Sequence, residues 1–220
     1  MEELSSYSQY LELIAAIIGT IRYSHFKESR LKYVLFFVWY VALNEFFAGI
    51  SYPLFGIPNY IPYNIYYLIH FAFFLWWFSS LMFSLTRKLI LQGLAIIFSV
   101  FWVINALFTQ DFTSSFMTHS YTLGTVFVTI SACFYFIEML NREVVMNITS
   151  SPYFWIAFGL LVFCVTYLPF EIAIEFMVKE EIIIWSVVLF LINSIQYCCF
   201  AVAFLKSDKS LNEHLINPDE

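Results

Sequence analysis

The chain has 220 residues, of which 61% are hydrophobic, 22% aromatic and only 12% charged, with a net charge of −6. Soluble domains average about 25% charged and 45–50% apolar residues, and no soluble core of this size could bury so much apolar surface. The composition therefore excludes an ordinary soluble domain and predicts an all-α polytopic membrane protein in contact with the lipid bilayer. Its few cationic residues form short clusters rather than a basic face, which argues against binding of nucleic acid.

Apolar segments recur along the whole chain at lengths that suit a bilayer. A hydrocarbon core of about 30 Å requires roughly 20 helical residues. The predicted spans are 8–23, 33–50, 63–86, 89–108, 119–141, 153–178 and 182–205. The first is the weakest, because its short apolar part is flanked by Glu12 and Arg22. We predict a seven-transmembrane-helix bundle that forms a single membrane domain (1–206), followed by a short mobile tail (207–220).

The cationic residues predict the orientation of these spans. Nine of the ten fall in or beside the loops after spans one, three, five and seven: Arg22, Lys27, Arg30, Lys32, Arg87, Lys88, Arg142, Lys206 and Lys209. Only Lys179 falls on the opposite side. Because cytoplasmic loops carry the excess of Lys and Arg, the N-terminus is predicted to lie outside and the C-terminus in the cytoplasm.

The segment 50–67 between spans two and three is rich in tyrosine and contains Pro53, Pro58 and Pro62. These prolines predict that no regular helix forms there. The tyrosines suit the headgroup region of a membrane, where one end of the ring is apolar and the other is wet. An aromatic belt on the outer surface is therefore our interpretation of this segment.

Polar side chains inside the predicted spans collect near the outer side of the membrane. They are Glu12, Asn44, Glu45, His70, Asn105, Glu171, Glu175 and Asn193. Ionisable groups in hydrocarbon are costly and normally face a cavity or a partner. We therefore expect an outward-facing polar pocket whose ligand-binding residues are Glu45, His70, Asn105, Glu171, Glu175 and Asn193. Near the inner side, Glu138 is expected to pair with Arg142, four residues later on the same helix.

Glu171 and Glu175 allow three interpretations, because they stand four residues apart in the apolar stretch YLPFEIAIEFM (167–177). Both carboxylates could reach the headgroup region by snorkelling. Alternatively, one could be protonated and hydrogen-bonded to Asn193, Tyr167 or Asn105, since like charges at this spacing repel. In the third interpretation they form part of a ligand or cation site with Glu45 or His70.

Metal chemistry has weak support in the sequence. A catalytic metal site normally has three protein ligands, and His70 is the one histidine well inside a span. Glutamates 45, 171 and 175 could complete such a site, but a lone histidine on an aromatic helix is more often a hydrogen-bonded core residue, and we favour that interpretation of His70. The four cysteines lie in apolar segments without CxxC spacing, which predicts neither a disulfide framework nor a zinc site. No cofactor is indicated.

Three segments carry a resemblance to a known group of proteins: LNEF (43–46), YNIYYLI (63–69) and FWIAFGLLVF (154–163). The chain resembles an uncharacterised family of bacterial seven-helix integral membrane proteins. The resemblance implies seven spans and a bacterial cytoplasmic (inner) membrane, and it implies no activity.

These observations favour a sensor or receptor-like membrane protein. It would bind a small ligand, a cation or a proton in the outward pocket and act through a cytoplasmic signalling partner. A small-solute or proton-coupled transporter is the main alternative, and it would need a polar path across the inner half of the membrane. An intramembrane metal-dependent enzyme and a structural subunit of a membrane complex are further alternatives.

Overall fold

The computed structural model describes the backbone of residues 2–141, 148–173 and 181–207, and the side chains of 7–141, 148–169 and 186–207. The regular structure in these ranges is helical, which confirms the all-α prediction for this part of the chain. The α-helices follow the order of the predicted segments: α1 (Glu2–Phe26), α2 (Leu31–Phe55), α3 (Tyr60–Leu81), α4 (Leu85–Ile104), α5 (Thr118–Leu140), α6 (Pro152–Ala173) and α7 (Glu181–Lys206). A π-helix, Asn105–Thr109, continues α4, and a 3-10 helix, Ile148–Ser150, precedes α6.

Five helices among the described residues are long and apolar enough to cross a membrane, so the chain is a multi-pass membrane protein. They cover Leu31–Phe55, Leu85–Phe108, Thr118–Leu140, Pro152–Pro169 and Ser186–Lys206. The helices α1 and α3 are not among them. Glu12 and Arg22 lower the apolar character of α1, and α3 contains four tyrosines and two tryptophans, which enter hydrocarbon less favourably than aliphatic side chains.

The connection between α2 and α3 is shorter than the prolines predict. Pro53 lies in the last turn of α2, and Pro62 lies in the first turn of α3, where a backbone N–H would have no partner within the helix. Gly56, with a φ of 66°, ends α2 in the left-handed conformation, and its N–H donates to the Tyr52 carbonyl at 2.9 Å. The expectation that prolines prevent a helix throughout 50–67 is therefore wrong, since only 56–59 are non-helical.

The bounds predicted for the third span, 63–86, also differ from those of α3. Helix α3 begins at Tyr60 and stops at Leu81, Met82 adopts an extended conformation, and α4 begins at Leu85. Hydropathy does not reveal this break, because the sequence remains apolar across it. The break has a tertiary cause: a side chain from α5 binds the backbone of the connection, as described in the next section.

The described residues fall into two compact units, of which the first comprises 2–42, 148–167 and 181–207. Within it, α1 packs along α7. Gly159 brings α6 against α7, where a Cβ at residue 159 would lie 2.9 Å from the Cβ of Cys199. The Arg22 guanidinium donates to the carbonyls of Leu205 and Ser207, each at 3.4 Å. This contact joins the end of α1 to the last carbonyls of α7.

The second unit comprises 43–141 and 168–173. Here α3 packs against both α4 and α5, and α4 also contacts α5. The core is largely aromatic, and all of its members are at most 4% exposed: Phe71, Phe74, Leu75, Trp77, Phe78, Leu91, Phe98, Val128, Ala132 and Tyr135. The candidate functional groups described below surround the ends of this core.

Candidate functional site

Glu45, in the second half of α2, is bound by a tyrosine of α3. The hydroxyl of Tyr63 donates to Oε2 of Glu45 at 2.7 Å, and both side chains are half-buried. This distance is the usual one for a well-formed hydrogen bond between an O–H donor and an oxygen acceptor. The predicted ligand residue Glu45 is therefore held at a defined position by the first turns of α3.

His70 lies on the same helix as Tyr63 and pairs with a second tyrosine. The Tyr66 hydroxyl is 2.7 Å from Nδ1 of His70, and His70 is 7% exposed. The imidazole packs edge-on against the rings of Phe71 and Phe74. At 100° per residue, Tyr63, Tyr66 and His70 share one helical face. We call these three residues, together with Glu45, the tyrosine face.

The tyrosine face places proton-carrying groups at successive depths along α3. Seven residues separate Tyr63 from His70, which corresponds to about 10 Å along the helix axis. A carboxylate, two phenols and an imidazole can together bind a proton, a cation or a ligand that offers hydrogen-bond donors. This arrangement of groups is the chemical basis of the candidate site.

Asn105 is buried at the point where α4 widens into its π-helix. Its Nδ2 donates to Oε1 of Gln110 at 2.9 Å and to Oγ of Ser120 at 2.8 Å. Gln110 in turn donates to Oγ1 of Thr118 at 3.0 Å. These four residues, Asn105, Gln110, Thr118 and Ser120, form the Asn105 cluster, which joins the end of α4 to the start of α5.

The loop between α4 and α5 is fixed by Asn64, which is buried with 0% exposure near the start of α3. Its Nδ2 donates to the carbonyls of Phe112 and Ser115 at 3.0 and 2.9 Å, and its Oδ1 accepts the N–H of Met117 at 2.9 Å. One amide thus satisfies three backbone groups of a loop that lies about fifty residues later in the chain. The loop is consequently an ordered part of this end of the unit.

Asp111 stabilises the exposed side of the same loop. The N–H and hydroxyl of Thr113 both donate to Oδ1 of Asp111, at 2.9 and 2.8 Å. The hydrogen bond from the Thr113 backbone, followed by those from the side chains of Ser114 and Thr113, lowers the pKa of Asp111 below its ordinary value. This loop therefore favours an ionised carboxylate.

The opposite end of the second unit is closed by Glu138 of α5. Its Oε1 accepts the N–H groups of Phe83 and Ser84 at 2.9 and 2.7 Å, and its Oε2 forms an ion pair with Arg87. A negative charge at this position also complements the positive N-terminal end of α4. We call this arrangement the Glu138 clamp. Arg87 is a partner of Glu138 that the sequence did not predict. The expected pairing with Arg142 stays a prediction, because Arg142 lies outside the described residues.

The region between the tyrosine face and the Glu138 clamp is apolar. The buried side chains of α3 in this interval include Phe71, Phe74, Trp77 and Phe78. The hydroxyls of Thr125, Thr129 and Ser131 donate to carbonyls of their own helix, at 2.8–2.9 Å. Because these hydroxyls are satisfied within α5, they do not extend a polar path through the unit.

Of the remaining predicted ligand residues, Asn193 is the one whose side chain the structure describes. Asn193 belongs to the first unit, where its Nδ2 donates to the Leu189 carbonyl of its own helix at 2.8 Å. The backbone of Glu171 lies in α6, but its side chain is outside the described residues, as is the whole of Glu175. Glu45, His70 and Asn105 share the second unit. The three interpretations of the paired glutamates therefore stay predictions.

Two tyrosines that sequence reasoning assigned to an aromatic belt bind the predicted site residues. Tyr63 and Tyr66 hold Glu45 and His70 through their hydroxyls. The signal was present in the sequence, because residues 63, 66 and 70 follow the spacing of one helical face. Gln110 and Ser120 were also missed, and no local pattern marks them as partners of Asn105.

The structure holds no cluster of metal ligands in the portion of the chain that it describes. No group of three His, Cys, Asp or Glu residues converges there, and the four cysteines are free thiols. The ligands available at the tyrosine face are one carboxylate, one imidazole and two phenols. Such a set suits proton or ligand binding better than a catalytic metal, which usually has three ligands of the His, Cys or carboxylate type.

The chain was compared with protein-family models, with curated proteins and with solved structures, and none of the three comparisons found a match. The candidate site is therefore interpreted from its own geometry.

Proposed function

We propose that this chain is an integral membrane sensor or receptor-like protein of a bacterial cytoplasmic membrane. It binds a small ligand, a cation or a proton at the tyrosine face, which is open to the outside, and signals through a cytoplasmic partner. The observation that carries the proposal is the pairing of Glu45 with Tyr63 and of Tyr66 with His70 at one end of an apolar, aromatic core.

The proposal includes seven spans with the N-terminus outside. Helices α1 and α3 have 25 and 22 residues, so each exceeds the roughly 20 residues that a bilayer requires. The end of α7 supports the orientation, since Lys206 donates to the Thr149 carbonyl at 3.0 Å and lies 5.6 Å from the centre of the Trp155 ring. Lysine beside tryptophan is typical of a membrane interface, and lysine favours the cytoplasmic one.

The aromatic core favours a receptor over a transporter. A carrier needs polar groups along its whole path, whereas the buried centre of the second unit is formed by Phe, Trp and Leu side chains. At the far end of the unit, Glu138 and Arg87 neutralise each other in the Glu138 clamp. Ligand binding at the tyrosine face would therefore act on this packed aromatic core, and the described residues of the second unit form no continuous polar route beyond it.

The signal would reach the cytoplasmic partner through the loops that carry positive charge. Lys27 and Arg30 lie between α1 and α2, and Lys88 follows the Glu138 clamp at the start of α4. These loops present cationic groups to which an acidic surface of a partner protein could bind. The proposal assigns the ligand to the outer end of α3 and the partner to this basic side.

The direct test measures the thermal unfolding midpoint of the full chain in lipid nanodiscs. The probes are protons, between pH 8 and 5, and small ammonium ions such as tetramethylammonium. A ligand that binds the folded state raises this midpoint. We expect at least one probe to shift it in the wild type, and we expect Glu45→Gln and Tyr63→Phe to abolish that shift. Glu28→Gln is the matched control, because Glu28 is an exposed loop residue whose side chain is 88% exposed.

Two results would count against the proposal. A shift that is unchanged in Glu45→Gln would place the binding site elsewhere. Uptake of the same probe into proteoliposomes, lost in Glu45→Gln and retained in Glu28→Gln, would make the protein a transporter instead.

A further inference from the structure

The carbonyl oxygen of Asn105 is a buried acceptor for which the described residues supply no donor. Asn105 is 1% exposed, and its Oδ1 makes no hydrogen bond within the part of the chain that the structure describes. Its amide nitrogen, by contrast, has two partners, Gln110 and Ser120. Buried polar atoms are nearly always satisfied in folded proteins. An unsatisfied acceptor inside a polar cluster therefore points to a donor or an ion that lies outside the described residues.

The surrounding hydrogen bonds fix the orientation of the Asn105 amide. The backbone N–H of His119 donates to Oε1 of Gln110 at 3.1 Å, so that atom must be the amide oxygen. Nε2 of Gln110 correspondingly faces the Thr118 hydroxyl. Because Oε1 of Gln110 is an acceptor, the Asn105 atom that faces it must be the nitrogen. Exchanging the two amide atoms of Asn105 would therefore break a bond rather than satisfy one, and Oδ1 stays unpartnered.

The cluster also contains the hydroxyl oxygens of Ser120 and Thr118. Oγ of Ser120 and Oγ1 of Thr118 each accept one amide hydrogen, and a hydroxyl oxygen has a second lone pair for another ligand. The available ligand set is thus one amide oxygen and two hydroxyl oxygens, with no carboxylate among them.

The position in the fold favours a cation. The cluster lies at the C-terminal end of α4, where the helix dipole is negative, and the helix is distorted there into the π-helix Asn105–Thr109. Helix C-termini and irregular helical turns supply ligands for Na⁺ in membrane proteins. Divalent ions normally require carboxylates, and the cluster has only neutral oxygens. These features select a singly charged ion.

We propose that the Asn105 cluster binds a monovalent alkali cation, Na⁺ or K⁺, with Oδ1 of Asn105 as its principal side-chain ligand. The ion links the end of α4 to the start of α5 and stabilises this end of the second unit. This assignment is independent of the function proposed for the tyrosine face, since the two sites share no residue.

The test uses the full chain in nanodiscs in NaCl, KCl or choline chloride at equal ionic strength. We expect the unfolding midpoint to rise by roughly 2–4 °C in NaCl or KCl relative to choline chloride, saturably with ion concentration. Asn105→Ala and Ser120→Ala should each abolish this rise. Asn193→Ala is the matched control, because its amide bonds to its own helix, and it should retain the rise. Glu45→Gln should also retain it, which separates this site from the tyrosine face.

The relaxation of ²³Na, measured by NMR on the same samples, reports ion binding directly. It therefore separates the loss of the ion site from a lower midpoint caused by poor folding of a variant. We expect excess relaxation in the wild type and in Ser120→Thr, which keeps the hydroxyl, and its loss in Ser120→Ala. Two results would overturn the proposal. Equal midpoints in NaCl, KCl and choline chloride would mean that a water, or a side chain outside the described residues, satisfies Oδ1. Retention of both the rise and the relaxation in Asn105→Ala and Ser120→Ala would place the ion elsewhere.

Discussion

Glu138 of α5 and Arg87 of α4 form an ion pair, although they are 51 residues apart in the chain. The carboxylate also binds two backbone N–H groups of the connection before α4. Only 8% of the Glu138 side chain is exposed, so solvent screens this pair less than a surface ion pair.

Removing the negative charge of Glu138 should destabilise the protein. We expect Glu138→Gln to lower the free energy of unfolding by about 1–3 kcal/mol, since the Arg87 ion pair is lost and the backbone bonds weaken. Chemical unfolding in detergent micelles measures the change. Glu28→Gln breaks an exposed pair with Lys27 of 3.9 Å and should cost less than about 0.5 kcal/mol. Equal losses in the two variants would contradict the clamp.

Gly124 of α5 allows α3 to approach closely. A Cβ at this position would meet the ring of Phe71, with Cδ1 at 2.8 Å, and that ring is buried. We expect Gly124→Ala to destabilise by about 1–3 kcal/mol through overpacking. Gly93→Ala in α4 should be neutral or slightly stabilising, because no atom lies within 4 Å of its Cβ and alanine favours helix. A stabilised Gly124→Ala variant would show that the contact is not tight.

The ordered conformation of the loop between α4 and α5 should depend on Asn64. In Asn64→Ala, the three backbone groups bound by this amide lose their partner, and we expect faster hydrogen exchange and proteolysis across 111–117. Asn59→Ala is the control, since Asn59 is exposed and its side chain makes no capping bond at the start of α3. Unchanged exchange in Asn64→Ala would mean that the loop is held by other contacts.

Glu45 and Tyr63 should be energetically coupled. Their hydrogen bond has an ionisable acceptor, so a double-mutant cycle with Glu45→Gln and Tyr63→Phe should give an interaction energy of about 0.5–3 kcal/mol. Pairing Glu45→Gln with Tyr52→Phe, which alters a 68% exposed tyrosine, should give additive changes. Additivity in both cycles would argue against a functional pairing at the tyrosine face.

The Asp111 turn should respond to acid. The folded-state pKa of this carboxyl is lowered by its bonds to Thr113 and Ser114. The ionised form therefore stabilises the turn above the unfolded-state pKa, and this contribution is lost as the pH falls through the folded-state pKa. The amide chemical shift of Thr113, followed by NMR below about pH 5, should report the loss. Asp111→Asn should remove this pH dependence, and a titration that persists in the variant would have another origin.

Sequence reasoning succeeded for features that depend on residues close together in the chain. Hydropathy located all seven helices in order, because each segment must bury its own apolar surface in lipid or protein. It failed at the boundary between α3 and α4, which a carboxylate from α5 determines. It also did not predict Arg87 as a partner of Glu138, since a contact between residues 51 positions apart follows no local spacing. The tyrosine face was only partly predicted, because periodicity gives a shared face but does not reveal that Glu45 of another helix binds there.

Asn64 has a consequence for biogenesis. In the proposed seven-span topology, an isolated α3 would carry an amide and an imidazole into the bilayer, and polar groups at that depth oppose release from the translocon. The backbone partners of Asn64 are synthesised 48 to 53 residues later. We therefore expect α3 to remain beside the insertion machinery until α4 and the beginning of α5 have emerged, so that the three helices partition into lipid cooperatively.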